Sequence, residues 1–286
     1  MSKLESIKKY FIIYNQLRKK PSSQEEINKQ LETEGEIDGF NYVKDKRTFK
    51  RDLDNIESIF KIEIKYDFSR KVYSIDEDEE SLLKNKALES LDLIMAFQLT
   101  NNVEKYVEFE KRKPLGTQYL LPIVKAIKNR KITTIIHQKF WELETYTKNI
   151  EPLALKEAQN RWYVVAKDEG KSNIKTYGLD RISFVEMTNK SFIYPTDFDV
   201  IEYFKPYFGI MSGNNHGEPP IVILSFHPNQ KPYLETMPLH HSQSILVDND
   251  LEYRIQLKVF PTYDFIKEIN SYGKEVKIIE PKNFDY

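Results

Sequence analysis

The chain contains no cysteine. That excludes a disulfide framework, a thiolate zinc site and a cysteine nucleophile together. Glycine is scarce, 9 in 286 residues, and no glycine-rich phosphate loop, GxGxxG fingerprint or GxSxG nucleophile elbow occurs. The histidines are His137, His216, His227, His240 and His241, with no HExxH among them. Adjacent His240 and His241 on an extended segment would point opposite ways. Carboxylates are plentiful but fall in acidic runs that read as solvent-facing. The expectation is no catalytic residues, no metal and no cofactor. No apolar run reaches the roughly 20 residues a bilayer crossing demands. The opening "MSKLESIKKYF" lacks the apolar stretch and cleavage site of a signal peptide, so a cytoplasmic protein with no membrane partner is expected. Nor does one sign of charge prevail. With 43 basic and 44 acidic residues the net charge is -1, and any nucleic-acid binding must come from local patches.

What is present suits a modular soluble protein. The chain is 40% hydrophobic and 30% charged, and its length exceeds one ordinary core, so two or three domains are expected. Leu4, Ile7, Phe11, Tyr14 and Leu17 recur at three- and four-residue steps and make one apolar helical stripe. Ser22 and Glu25 have capping-box spacing ahead of Ile27 and Leu31. In "DKRTFKRDLDNIESIF", Phe49, Leu53, Ile56 and Phe60 form a second such stripe, while the other side carries Arg47, Arg51 and Asp54 with Lys46 and Lys50 at its flanks. "KIEIKYDFSRKVYSI" then alternates, turns near Ser69 and Arg70, and alternates again.

Three helices followed by a basic-tipped hairpin predict a winged helix-turn-helix over residues 1–76. Its third helix would enter a major groove, and its hairpin, through Arg70 and Lys71, would touch phosphate. Lys46, Arg47, Lys50 and Arg51 are candidates for guanine edges or backbone phosphates, with Lys44 adding to the charge. Thr48 at the helix start is a candidate for a phosphate oxygen. The competing reading is an ordinary solvated helix face. Element order and cation density weigh against it.

Acidic "DEDEES", from Asp76, marks a boundary. Helices over Leu82–Leu99 and roughly Gln118–Asn129 follow in a linker spanning 77–130, to join the modules, pack against them or form a dimer surface. Beyond Ile132 the period becomes two. Strands are expected at "ITTIIHQKF", "NIEPLAL", "RWYVVAK", "IKTYGLDRI" and "FVEMT", forming a small bent antiparallel barrel over 131–192. In the third, Trp162, Val164 and Ala166 share one face and Arg161, Tyr163, Val165 and Lys167 the other; in the fourth, Lys175, Tyr177, Leu179 and Arg181 align. Each strand thus presents cations mixed with tyrosines, the pairing that single-stranded nucleic acid requires. Tyr and Arg covering a barrel rim, with Trp162 filling the core, is the alternative. Asp180 beside Arg181 reads as a local ion pair. After an aromatic segment and the polar loop "SGNNHGEPP", the order strand, helix, strand, strand, helix, strand completes a ferredoxin-like βαββαβ domain within 193–286. The fold class is therefore multidomain α+β.

"RWYVVAKDEGKSNIKTYGLDRI" resembles the WYL-domain family of bacterial regulators, whose Trp-Tyr-Leu run is here Trp162, Tyr163 and Val164. "EPLALKEAQNRWY", "KRTFKRDL", "PLHHSQSI" and "SYGKEVKIIEP" are similar to that family too, so the resemblance spans the chain. It implies a winged helix, an Sm- or SH3-like barrel and a ferredoxin-like extension. It further implies a homodimeric transcription regulator that binds a double-stranded DNA operator and senses a single-stranded nucleic-acid or nucleotide effector in the barrel. By position the sensor residues are Arg161, Tyr163, Lys175 and Arg181, with Tyr177 beside them. His137 and Lys148 stand behind these, where the family would have a tyrosine and an arginine. Lys148 keeps the charge and loses bidentate geometry. The alternatives are an RNA- or single-strand-binding module without promoter function, and a scaffold whose C-terminal domain oligomerises.

Overall fold

A computed structural model describes residues 3–43, 45–60, 62–75, 108, 115–141, 144–212 and 217–282. The chain divides into two units, Met1–Phe109 and Glu110–Tyr286. Lys44, His216, the acidic run from Asp76 and the helix expected over Leu82–Leu99 lie outside the described residues.

The first unit is built from α1 (Lys3–Lys19), α2 (Gln24–Asp38), α3 (Lys46–Phe60) and an antiparallel hairpin of β1 (Ile64–Asp67) and β2 (Val72–Ile75). Apolar residues at helical spacing converge on one core, with Ile13, Ile27, Leu31 and Ile56 almost wholly sealed. The N-cap of α2 falls one residue later than the spacing predicts. Ser23 and Glu26 form the reciprocal box, Glu26 N donating to Ser23 Oγ at 3.2 Å and Ser23 N to Glu26 Oε2 at 2.8 Å. Ser22 is taken by a different partner. Its N–H donates to Tyr73 O at 2.9 Å and its carbonyl accepts from Tyr73 N at 2.8 Å, which ties the hairpin to the α1–α2 turn. Either serine has the chemistry of a cap, and the hairpin decides between them.

In the second unit, α4 (Leu120–Lys128) lays Ile123 and Ala126 on a five-stranded antiparallel sheet. Its strands are β3 (Lys131–Gln138), β4 (Thr145–Ala158), β5 (Arg161–Asp168), β6 (Ile174–Gly178) and β7 (Ile182–Ser191), in the order β6-β5-β4-β3-β7. The helix expected in the linker therefore closes the core of this sheet. Gln159 and Asn160, at φ 46° and 59°, form the two-residue turn between β4 and β5, as the right-handed strand twist favours. The expected fourth strand stops early: Leu179–Arg181 is a turn of 3₁₀ helix, so Arg181 leaves the alternation of Lys175 and Tyr177.

The chain continues through the short α5 (Val200–Phe204) into a second sheet of β8 (Ile221–Phe226), β9 (Ser244–Asp248), β10 (Tyr253–Lys258) and β11 (Val276–Glu280). This sheet is antiparallel in the order β11-β8-β10-β9. α6 (Lys231–Thr236) lies between β8 and β9, and α7 (Tyr263–Ser271) between β10 and β11. Val222, Leu224, Phe226, Ile255 and Leu257 meet Phe265 and Ile269 in its core. The element order is that expected from the sequence, and the molecule is mixed α+β. Among the described residues no helix is long and apolar enough to cross a membrane.

Candidate nucleic-acid interface and effector site

Two sites follow from these folds, one in each unit. In the first, burial of Phe49, Leu53, Ile56 and Phe60 turns the other side of α3 to solvent, leaving Lys46, Arg47, Lys50 and Arg51 exposed. Asp45 anchors the start of α3. Its Oδ1 accepts from Arg47 N and Thr48 N, both at 3.0 Å, and its Oδ2 accepts from Thr48 Oγ1 at 2.9 Å. The bond from Thr48 N, then that from its hydroxyl, holds the Asp45 carboxyl below the usual range. The Thr48 hydroxyl proton is thus given to Asp45 and not offered to a phosphate. Asp45 supplies a carboxylate at the N-terminus of α3, where the helix dipole favours an anion; the charged residues of the first turn itself are Lys46 and Arg47, with Lys50 and Arg51 following in the second. None of the four makes a salt bridge among the described residues.

A groove of about 750 Å³ separates this face of α3 from the hairpin, with Arg47, Lys50 and Arg51 on one wall and Tyr66 and Tyr73 on the other. At the hairpin tip Asp67 Oδ1 accepts from Ser69 N, Ser69 Oγ and Arg70 N at 2.8, 2.7 and 3.1 Å. Arg70 and Lys71 are exposed there. Phe68, which the sequence reading passed over, is 84% exposed at the same tip.

In the five-stranded sheet, the β5–β6 register separates residues that alternation alone would align. Ala166 lies opposite Lys175 and Val164 opposite Tyr177, whereas Tyr163 lies opposite Gly178. Lys175 and Tyr177 therefore share the Trp162 face, and Arg161 and Tyr163 lie on the other side. Tyr177 is a core residue at 5% exposure. Its hydroxyl donates to Asp168 Oδ1 and its ring stands edge-on to His137 at 5.2 Å. Burial, then the bond to Asp168, pushes its phenol well above the ordinary value.

Two buried acids organise the cations. Asp168 Oδ2 receives Lys175 Nζ at 2.7 Å, with Lys171 at 3.5 Å and Lys148 at 3.9 Å. Burial pushes its carboxyl upward, but hydrogen bonds from Lys175 and Tyr177 and the nearby Lys148 outweigh that and bring it to about 2. Asp180 Oδ2 accepts from Arg161, while Arg181 Nε stands 3.9 Å from Oδ1. The close pair of Asp180 is thus Arg161, at the start of β5, rather than its neighbour. Gly178 makes this packing possible, since a Cβ there would lie 2.5 Å from Asp180 Oδ1 and 3.0 Å from Arg181 Nε. Both guanidiniums lie over Phe140, Arg181 at 4.6 Å and Arg161 at 5.9 Å from the ring centre.

His137 sits beside this cluster at 5% exposure. Burial first, then Arg181 and Lys148, lowers its imidazole to about 4, so it is neutral at pH 7. His137 Nε2, Asp180 Oδ1 and Arg181 Nε are buried without hydrogen-bond partners among the described residues. Tyr163 is half-buried, its phenol raised by burial and then by Asp180. The fold thus brings His137, Lys148, Arg161, Tyr177 and Arg181 together around Asp168 and Asp180, with cations in excess of carboxylates. Asp168 and Phe140 were not singled out in the sequence; a lone acid closing a strand that carries Arg161 was the signal available for the first. No group of three metal-ligating side chains occurs among the described residues.

Residues 118–187 match the family model of the WYL domain. That span takes in α4, His137, Lys148 and the whole Arg161–Arg181 segment. Among solved structures the chain is similar to proteasome accessory factor B/C (PafBC) of Arthrobacter aurescens, at 20% identity and a TM-score of 0.32, over 82% of this chain and 38% of that one. It is also similar to a CRISPR Cas-related protein, at 13% identity and a TM-score of 0.38, over 58% of this chain and 48% of the other. The chain thus spans less than half the length of either. No curated protein matches it.

Proposed function

We propose, for a chain whose residues 118–187 match the WYL domain, a DNA-binding transcription regulator that responds to an anionic effector. In this reading the first unit is a winged helix-turn-helix with α3 as recognition helix. The five-stranded sheet is an Sm- or SH3-like barrel, and the second sheet a ferredoxin-like extension. The observation that carries the proposal is the row of Lys46, Arg47, Lys50 and Arg51, exposed on the solvent side of α3 and without salt bridges among the described residues. A polyanion supplies the counter-charge that these four side chains lack among the described residues. Arg47 and Arg51 reach base edges or phosphates, and Lys46, Lys50, Arg70 and Lys71 contribute phosphate contacts. Two copies would present two such helices to a pseudo-palindromic operator.

The effector, a single-stranded nucleic acid or nucleotide, is held by Arg161, Arg181, Lys148, His137 and Tyr163, while Lys175 and Tyr177 fix Asp168. It shifts operator binding only through unequal affinity for two arrangements of the dimer. The test is titration of duplex and single-stranded DNA across a salt series. Specific duplex binding should survive salt that abolishes phosphate-driven binding, and an Arg47→Ala/Arg51→Ala protein should lose it while remaining folded. Retained duplex affinity in that variant sinks the assignment of α3. A second reading, a single-strand-binding module with no promoter function, is favoured by exposed Phe140, on which Arg161 and Arg181 lie, and by exposed Trp141 next to it in the chain. Single-strand binding in the absence of any duplex preference would select it.

A further inference from the structure

The hairpin tip carries an apolar side chain that neither the fold nor the phosphate contacts use. Phe68 is 84% exposed. A single exposed phenylalanine is ordinary, but this one is held in place. One oxygen of Asp67 takes three hydrogen bonds from the turn, so the loop that displays the ring is fixed. The ring is also braced from behind. Phe68 meets Tyr66 edge-on at 5.0 Å, Tyr66 meets Tyr73 at 4.7 Å, and Tyr73 meets buried Phe49 of α3 at 5.6 Å. A continuous file of rings runs from the helix core to the tip of the hairpin.

The surroundings specify the partner. Exposed Arg70 and Lys71 follow Phe68 in the turn, and the groove behind it is lined by Lys46, Arg47, Lys50 and Arg51 together with Asp54 and Glu57, so an apolar protein partner would have to bury several charges. A polyanion with an apolar interior between its charged edges fits both features at once. The four-residue strands extend about 13 Å, comparable with the roughly 12 Å width of a major groove. With α3 in a major groove, a tip of that reach would extend past the adjoining phosphate strand toward the adjacent minor groove.

We propose that Phe68 is a minor-groove wedge, inserted between base pairs next to the site read by α3, so that the protein bends the duplex it binds. The proposal rests on the reading of α3 as a duplex-facing helix. Insertion costs the unstacking of one step and favours flexible pyrimidine–purine steps. Phe68 thereby adds sequence preference at a position where no base edge is read. Arg70 and Lys71 hold the phosphates on either side of the opened step.

The experiment uses the full-length protein and a duplex that it selects from a random pool, remade with 2-aminopurine at successive positions. Expected is a fluorescence increase at one step beside the bases contacted by α3, where the selected sequence is pyrimidine–purine. Phe68→Ala should abolish that increase and weaken binding about tenfold with an unchanged salt slope. Arg70→Ala/Lys71→Ala should lower the salt slope. Phe68 is exposed, so its replacement leaves the core intact, and Phe68→Leu should restore part of the unstacking signal. Duplex binding with no brightened position, or an equal signal in Phe68→Ala, overturns the wedge and leaves the reading of α3 standing. Failure to bind any duplex overturns both.

Discussion

Lys9 on α1 and Asp52 on α3 form an ion pair inside the first unit, where Lys9 is fully sealed and Asp52 is 3% exposed. Each charge is tolerated because the other is there. Removing one partner leaves an ion in a core of Ile and Phe side chains, which costs about 3–5 kcal/mol. Asp52→Ala should therefore lower the urea midpoint of the first unit sharply. Replacing both residues, Lys9→Met with Asp52→Leu, should recover most of the loss, since well-packed apolar pairs often equal buried ion pairs. A double variant as unstable as the single one would show that the pair does more than neutralise itself.

Such a pair is also where reading a sequence fails. The stripes of α1 and α3 were legible because Phe11, Tyr14 and Leu17, and Phe49, Leu53 and Ile56, keep helical spacing and are buried as that spacing demands. Lys9 and Asp52 carry no such mark, for a charged residue is read outward unless its partner is known, and that partner is 43 residues away. The same limit applies in the five-stranded sheet. Alternation correctly sorts Trp162 from Tyr163 within β5, but which side Tyr177 shares depends on its register with Val164. That register is set by the turn between the strands. Arg181 was placed on a strand because Leu179 and Arg181 continue the period; the 3₁₀ turn packed beside Gly178 ends it. The cations of the two candidate sites were visible as composition and spacing. Of the acids that organise them, Asp180 was legible beside Arg181 but not its closer partner Arg161, and Asp168 was not legible at all.

Asp168 gives the five-stranded sheet an acid limit. Its carboxyl titrates near 2 against an ordinary 3.8, so on acidification the unfolded chain takes up the proton first. The resulting stabilisation is complete above about pH 4 and is lost as the pH falls toward 2. Its size is on the order of 1 kcal/mol once solvent screening at Lys171 and Lys175 is allowed for. Asp168→Asn should flatten this part of the stability–pH curve, measured by urea unfolding between pH 2 and 6. An unchanged slope would mean that Lys175 and Tyr177 do not hold the ionised form.

His137 acts in a different window and from the other side of the titration. Its imidazole is neutral down to about 4, lowered by burial and then by Arg181 and Lys148, whereas in the unfolded chain it protonates near 6.5. Stability is therefore full above about pH 6.5 and declines as the pH drops toward 4, by roughly 2–3 kcal/mol at the limit. His137→Gln should remove that decline. In the wild-type protein, the His137 ring resonances should stay at neutral positions at pH 6; a midpoint above 6 would contradict its burial beside two cations.

Gly116 and Gly170 provide a controlled comparison of contact and conformation. Both have positive φ, 84° and 75°, so an alanine at either meets the same left-handed penalty of about 1–2 kcal/mol. Their surroundings differ. A Cβ on Gly116 would lie 2.2 Å from the Leu179 carbonyl oxygen, whereas one on Gly170 has nothing within 4 Å. The collision at Gly116 is with backbone, which cannot rotate away. It falls on the turn that carries Asp180 and Arg181. Gly170→Ala should therefore lower thermal stability modestly, and Gly116→Ala by at least about 2 kcal/mol more. The second variant should also disturb the Arg161–Asp180 pair, seen as a shift of the Arg161 side-chain resonances that Gly170→Ala leaves in place. Equal destabilisation by the two would mean that the Leu179 turn yields, and that Arg181 is not held by the fold as tightly as its packing on Phe140 implies.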